Sequence, residues 1–217
     1  MITTNRHQHF KIKIAVSGSA ETGHLGEEAL HSAEEVGREV VRQGAILITG
    51  ATTGLPFWAA KGAKAEGGFS IGISPAKDER EHVETFKLPL DYMDLIIYTG
   101  QGYAGRDILM TRASDAIIEC AGRIGTIHEF TVAFEDNKPI GVLEGPWATD
   151  ELIKEIVKNS HRENDNKKIV YSPSPKELVK SVLTLVGKDK IEYYKSAIDS
   201  KFERVCEGAE CLPTPKL

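Results

Sequence analysis

The run Glu119-Cys120-Ala121-Gly122-Arg123-Ile124-Gly125-Thr126-Ile127-His128-Glu129 brings together residue types that can hold an anion and act on it. It follows the apolar stretch Ala116-Ile117-Ile118 and leads into Phe130-Thr131-Val132-Ala133-Phe134, which reads as helix. A strand, a glycine-bearing turn and a helix N-terminus in that order aim free first-turn amides and the positive end of the helix dipole at a ligand. Gly122 and Gly125 let the backbone approach closely, Thr126 adds a hydroxyl and Arg123 a cation. Glu129 is the unusual member, because phosphate binding requires no carboxylate. Two roles are open to it: an acid one turn into the helix, favoured by the dipole, or a group that acts on the ligand. Thr126 is either a helix cap or a phosphate donor, and Arg123 either pairs with phosphate or points to solvent. His128 reads as a packing residue in preference to a proton carrier.

Three more turns of small residues follow apolar runs: Ser17-Gly18-Ser19-Ala20, Gly50-Ala51-Thr52-Thr53-Gly54 and Gly100-Gln101-Gly102-Tyr103-Ala104-Gly105-Arg106. One such turn is required by any strand-to-helix connection. Four on one edge of a sheet point to a nucleotide or another phosphorylated ligand, with Gly18, Ser19, Gly50, Thr52, Thr53, Gly54 and Gly102 as further contacts. Neither G-x-G-x-x-G after the first strand nor G-x-x-x-x-G-K-[ST] is present, which argues against NAD-dependent redox chemistry and nucleoside triphosphate hydrolysis.

The elements that must position these turns alternate. Strands are predicted at Lys11–Val16, Ala45–Thr49, Phe69–Ile73, Leu95–Tyr98, Ala116–Glu119, Pro139–Leu143 and Lys168–Tyr171. Between them, helical spacing predicts helices over Gly26–Gln43, Leu55–Glu66, Arg106–Arg112, the residues after Gly125, Thr149–Val157, and from Ser174 or Ser172 to about Val186. Residues 76–92, with Lys77-Asp78-Glu79-Arg80-Glu81-His82, read as a charged, mobile connector. The pattern is that of a doubly wound α/β fold, a mostly parallel sheet with helices on both faces, which binds ligands beyond the carboxyl ends of its strands. We expect one domain over residues 1–187, followed over 188–217 by a C-terminal helix and a loose tail.

The 217 residues are 41% hydrophobic and 27% charged, as in ordinary globular proteins, and carry a formal net charge of −5. Basic residues are interspersed with acids, which argues against a nucleic-acid surface. No apolar run reaches the roughly 20 residues of a membrane span, and Met1–Phe10 is polar, so a cytoplasmic protein is expected. Cys120 reads as a small buried residue. Cys206 and Cys211, in a Gly- and Pro-containing tail, fit no redox pair or zinc signature, and neither a metal nor a cofactor is expected.

Taken together, the motifs resemble the LOG (Lonely Guy) family, long described as lysine decarboxylase-like. Gly122-x-x-Gly125-Thr126-x-x-Glu129 resembles the second half of its PGGxGTxxE signature, and Thr49-Gly50-Ala51-Thr52-Thr53-Gly54-Leu55-Pro56 its GGG-x-x-GLM turn. Gly62–Gly68, Ile71–Pro75, Arg106–Met110 and Ser114-Asp115-Ala116 match further steps in the same order, over residues 12 to 144. The resemblance implies a Rossmann-like homodimer that binds a nucleoside 5′-monophosphate and acts as a phosphoribohydrolase. In that reading Arg106 orients phosphate and ribose, and Glu129 stabilises the oxocarbenium-like transition state or activates water. Decarboxylation of lysine is not implied, since no lysine sits at these turns to hold pyridoxal phosphate. Gly100–Arg106 is more similar to the DprA-related SLOG branch, which includes proteins similar to molybdenum-cofactor carriers. The alternative is therefore a non-catalytic binder or carrier of a phosphorylated ligand such as a molybdenum-cofactor-like pterin. Three departures separate the chain from the enzymes: Cys120-Ala121 in place of Pro-Gly, Arg123 inside the loop, and Ala51-Thr52-Thr53 in place of glycines.

Overall fold

The computed structural model describes residues 11–162 and 167–199. Seven strands, β1 (Lys13–Ser17), β2 (Ile46–Thr49), β3 (Ser70–Ser74), β4 (Leu95–Tyr98), β5 (Ala116–Glu119), β6 (Ile140–Leu143) and β7 (Ile169–Ser172), form one sheet in the order β4-β3-β2-β1-β5-β6-β7. Every pairing is parallel. Six helices connect and flank them: α1 (Glu27–Arg42), α2 (Leu55–Ala65), α3 (Gly102–Ala113), α4 (Ile124–Glu135), α5 (Thr149–Asn159) and α6 (Pro175–Asp199).

Alternation along the strands divides the core. Ile14 and Val16 of β1, with Ala116 and Ile118 of β5, pack under α1, α2 and α6. Ala15 and Ile117 point the other way, against Met110 of α3, Phe130 and Ala133 of α4 and Ile153 of α5. Both faces are covered, so the central strands are apolar without interruption, as buried parallel strands must be. The chain winds outward from β1 through β2, β3 and β4, then returns to lay β5 on the opposite side of β1. The strand order reverses between β1 and β5, and a crevice opens beyond their carboxyl ends.

Three expectations change. Residues 76–92 are anchored, not a loose connector: the fully buried His82, in a short π-helical turn over Glu81–Thr85, places Nδ1 2.8 Å from Ser74 Oγ and Nε2 3.0 Å from the Pro89 carbonyl. The third helix starts at Gly102, four residues before the predicted start, because the low helix propensity of Gly102 and Gly105 disguised its first turn. The last helix continues through Gly187 to Asp199. Cys206, Cys211 and the predicted tail lie outside the described residues.

α1 and α2 touch backbone to backbone. A Cβ on Gly37 would lie 1.9 Å from the Ala59 carbonyl oxygen, and one on Gly62 1.9 Å from that of Glu34. Alanine improves intrinsic helicity by about 1 kcal/mol, but forcing packed helices apart costs about 1–3 kcal/mol or more. The clash wins. Gly37→Ala is expected to lower the melting temperature by several degrees, at roughly 2–4 °C per kcal/mol. Gly23→Ala, whose Cβ meets nothing within 4 Å, serves as the control and should leave it unchanged. Equal melting temperatures for the two variants would show that α1 and α2 can part freely.

Candidate functional site

A cavity of about 190 Å³ occupies the crevice at the carboxyl ends of β1, β2 and β5. Its floor is Arg106, buried on α3. The guanidinium lies directly on Gly50, where a Cβ would come within 2.3 Å of Nη1 and 2.6 Å of Cζ, so the residue ending β2 must be bare for Arg106 to fit. The next residue, Ala51, has φ of 53°, a left-handed backbone usually left to glycine. The turn thus keeps a glycine-like conformation although an alanine has replaced the glycine, and Ala51 N–H donates to Thr49 Oγ1 at 3.2 Å.

Arg106 Nη1 donates to Glu129 Oε1 at 2.9 Å and lies 3.1 Å from Asp107 Oδ1. The other Glu129 oxygen accepts the hydroxyl of Ser17, which lies 3.3 Å from Thr126 Oγ1. Asp107 Oδ2 is 2.9 Å from His128 Nδ1, so α3 and α4 are joined by two polar contacts over the crevice. Beneath them sits Glu119, register partner of Ser17 and fully buried, with neither carboxyl oxygen hydrogen-bonded.

Two carboxyls, those of Glu129 and Asp107, therefore lie against one guanidinium. Burial raises the Glu129 carboxyl to about 8, against the lowering pull of Arg106 and with a further push from Asp107. Burial, then the neighbouring Glu129 charge, holds Glu119 well above the carboxylate range. Burial therefore favours the protonated form of both glutamates. Cys120, buried in the same loop, has its thiol pushed up by burial and is chemically quiet.

Of the residues proposed from sequence, Gly18, Ser19, Gly50, Thr52 and Arg106 line this cavity, as do Arg123, Gly125, Thr126 and Glu129. Four do not. Thr53 donates its hydroxyl to the Ala20 carbonyl at 3.0 Å, and Gly54, at φ of 71°, packs on the Ser19 carbonyl; both shape the turn behind the cavity. Gly102 N–H bonds the Pro75 carbonyl at the start of α3. Gly122 exchanges two hydrogen bonds with Thr149 Oγ1 and lines a neighbouring cavity instead. Thr126 does not occupy the cap position, which belongs to Arg123; it is the third residue of α4. Arg123 sits on the rim, 54% exposed and 2.8 Å from Glu21.

Ser17, Tyr103 and Asp107 line the cavity but escaped the sequence reading, and Glu119 lies behind it. Glu119 had a usable signal: an acid that ends an apolar strand in a sheet covered on both faces has no route to solvent.

The fold and this site place the chain among known proteins. It belongs to the SLOG cluster4 family, whose model matches residues 11–179. An uncharacterized protein of Archaeoglobus fulgidus is 33% identical over 135 residues, which is 62% of this chain and 83% of that protein. Among solved structures, the molybdenum cofactor binding protein from the phototrophic bacterium Rippkaea orientalis is 29% identical, with a TM-score of 0.65 over 81% of this chain and 99% of that one. The Moco carrier protein from Chlamydomonas reinhardtii is 26% identical, with a TM-score of 0.67 over 82% and 99%.

The raised Glu129 pKa has a signed consequence. The unfolded chain releases this proton near the ordinary glutamate value of about 4.3, whereas the folded protein keeps it until about pH 8. Stability from this group is complete at acid pH, is lost as pH rises through that window, and is level above it. Glu129→Gln removes the dependence. Relative to wild type, the variant should therefore gain on the order of 4 kcal/mol between pH 5 and pH 8.5, read by urea unfolding at the two pH values. An identical difference at both would show that Glu129 ionises normally in the folded state.

Proposed function

We propose that this protein binds and carries a phosphorylated small molecule of the pterin-cofactor class, without chemical turnover, in the cavity between β1 and β5. The observation that supports a carrier most directly is the placement of Arg106 and Glu129. A phosphoribohydrolase needs its arginine on the substrate and its carboxylate ionised beside the sugar. Here both side chains are only 7% exposed and bonded to each other. Burial also raises the Glu129 carboxyl, which works against the ionised form that an oxocarbenium ion requires. The anion-binding role falls instead to the β1 turn at Gly18-Ser19, to Thr52 and to Arg123 on the rim. The likeness to a molybdenum cofactor binding protein and a Moco carrier protein over nearly all of their chains supports the same ligand class.

A second reading, nucleoside 5′-monophosphate hydrolysis at the N-glycosidic bond, is favoured by one observation: Arg106 and Glu129 both line the cavity.

Incubation with AMP, GMP, CMP and UMP separates the two. The carrier reading expects no free base or ribose 5-phosphate from any of them. Release that disappears in Glu129→Gln would overturn it in favour of the hydrolase. On the carrier reading, Arg123→Gln should weaken binding of inorganic phosphate by about three- to tenfold, the worth of one charge-assisted contact at an exposed site. Its melting temperature should be unchanged, because the Arg123–Glu21 pair is exposed. Calorimetric titration measures the first quantity, and unchanged affinity would remove Arg123 from the site.

A further inference from the structure

The amino-terminal edge of the sheet, opposite the crevice, carries an open groove of about 860 Å³ along the starts of β1, β5, β6 and β7 and the flank of α6. In a chain with a formal net charge of −5, this groove gathers five cations, Lys13, Arg112, Lys138, Lys168 and Lys190, against three acids, Asp115, Asp136 and Asp189. Two of the cations are matched one to one: Arg112 Nε lies 2.9 Å from Asp136 Oδ2, and Lys168 Nζ 2.8 Å from Asp189 Oδ2. The other three converge on a single carboxylate. Asp115 takes Lys13 Nζ at 2.8 Å on one oxygen and Lys190 Nζ at 3.1 Å on the other. Lys138 Nζ donates to the neighbouring Ser114 carbonyl at 2.6 Å and forms no ion pair among the described residues. Three ammonium groups and one carboxylate around the Ser114–Asp115 peptide leave two positive charges uncompensated.

Part of this arrangement is structural. α3 and α4 end on this edge, where Lys138 covers the Ser114 carbonyl and Lys168 the Asn137 carbonyl at 2.9 Å. For Lys138 that bond uses one of three N–H donors and leaves the charge unmatched. The side chain is half-buried, and desolvation holds its pKa below the ordinary lysine value although Asp136 and Asp115 pull it up. An ammonium short of both hydration and a counter-ion is stabilised by an anion that reaches it. We propose that this groove is a second binding site, for a phosphate group, free or as a monoester, held by Lys13, Lys138 and Lys190. The surplus charge sits around one peptide unit, so the negative charges that match it must lie on one compact group. A phosphate dianion provides that, and an extended dicarboxylate does not. Lysines suit the role, because each ammonium acts as a point charge and imposes no planar fork on its partner. The site lies at the opposite end of the strands from the first cavity and does not depend on what that cavity binds. Its ligand ties β1 and the entry to β6 to α6, the helix that carries Lys190.

Titration of the isotope-labelled full chain with inorganic phosphate, followed by NMR with chloride holding the ionic strength constant, tests it. The backbone amides of Asp115, Lys138 and Lys190 should shift and saturate. Lys138→Met, which keeps the aliphatic stem, and Lys190→Gln, on the surface of α6, should each weaken that response by about three- to tenfold, the worth of one charge-assisted contact at a partly exposed site. Arg123→Gln, at the first cavity, should leave it unchanged. Parallel titrations use ribose 5-phosphate and succinate. Tighter binding of ribose 5-phosphate than of inorganic phosphate identifies a monoester as the ligand, and equal or weaker binding identifies the free ion. Succinate binding as tightly as phosphate would overturn the assignment to phosphate. Absent or non-saturating shifts at the three amides, or a response that both lysine variants preserve, would overturn the site. So would a response lost in Arg123→Gln, because it would place the ion in the first cavity.

Discussion

The guanidinium of Arg106 is the interaction on which the crevice depends. It lies on the bare Cα of Gly50 and contacts the carboxyls of Glu129 and Asp107. Through these contacts α3, α4 and the end of β2 converge on one cation. A buried ion pair of this kind contributes little net stability, because desolvation offsets the attraction. Its importance is geometric. Removing Arg106 would leave Asp107 as an uncompensated buried charge, and a larger residue at Gly50 would displace the guanidinium that organises the floor.

On the proposed reading, the same constraint has the cavity bind from its walls and not from its floor. Arg106 and Glu129 are bonded to each other, and the proposed reading therefore leaves the ligand to the turns that form the rim. The departures from the enzyme pattern fall in those turns. Cys120 and Ala121 are buried, and the Ala121 carbonyl accepts Ser19 N–H at 2.8 Å, which binds the β5 turn to the β1 turn. Arg123 stands outside the floor cluster, between two cavities of different character. A loop that looks in sequence like an altered phosphate turn is, in the fold, a partition.

The sheet was legible because its signals are local and repeated. Apolar runs such as Ile14-Ala15-Val16 and Ala116-Ile117-Ile118, each followed by a small-residue turn, admit little other than buried parallel strands. The start of α3 was not legible, because Gly102 and Gly105 disfavour helix and only their neighbours hold the turn. The anchored segment around His82 was hidden by its charged surroundings; its buried imidazole depends on Ser74 and Pro89, which only the tertiary structure brings near. Within the site, Glu129 stood out by type and spacing, and Arg106 through the resemblance to the LOG family. Ser17 and Asp107 were not, since a serine ending a strand and an aspartate following an arginine are unremarkable until the fold sets them against Glu129 and His128. Thr53, Gly54, Gly102 and Gly122 illustrate the converse: glycine-rich turns carry residues that shape a pocket from behind as well as residues that face it.

A crystal structure of the protein with bound hydroxymethylpterin phosphate tests the central claim most directly. The account predicts an intact ligand whose phosphate lies between the Gly18-Ser19 turn and Arg123, with the Arg106–Glu129 bond unbroken beneath it. A phosphate bonded directly to Arg106, with Glu129 turned away from the arginine toward the ligand, would contradict it.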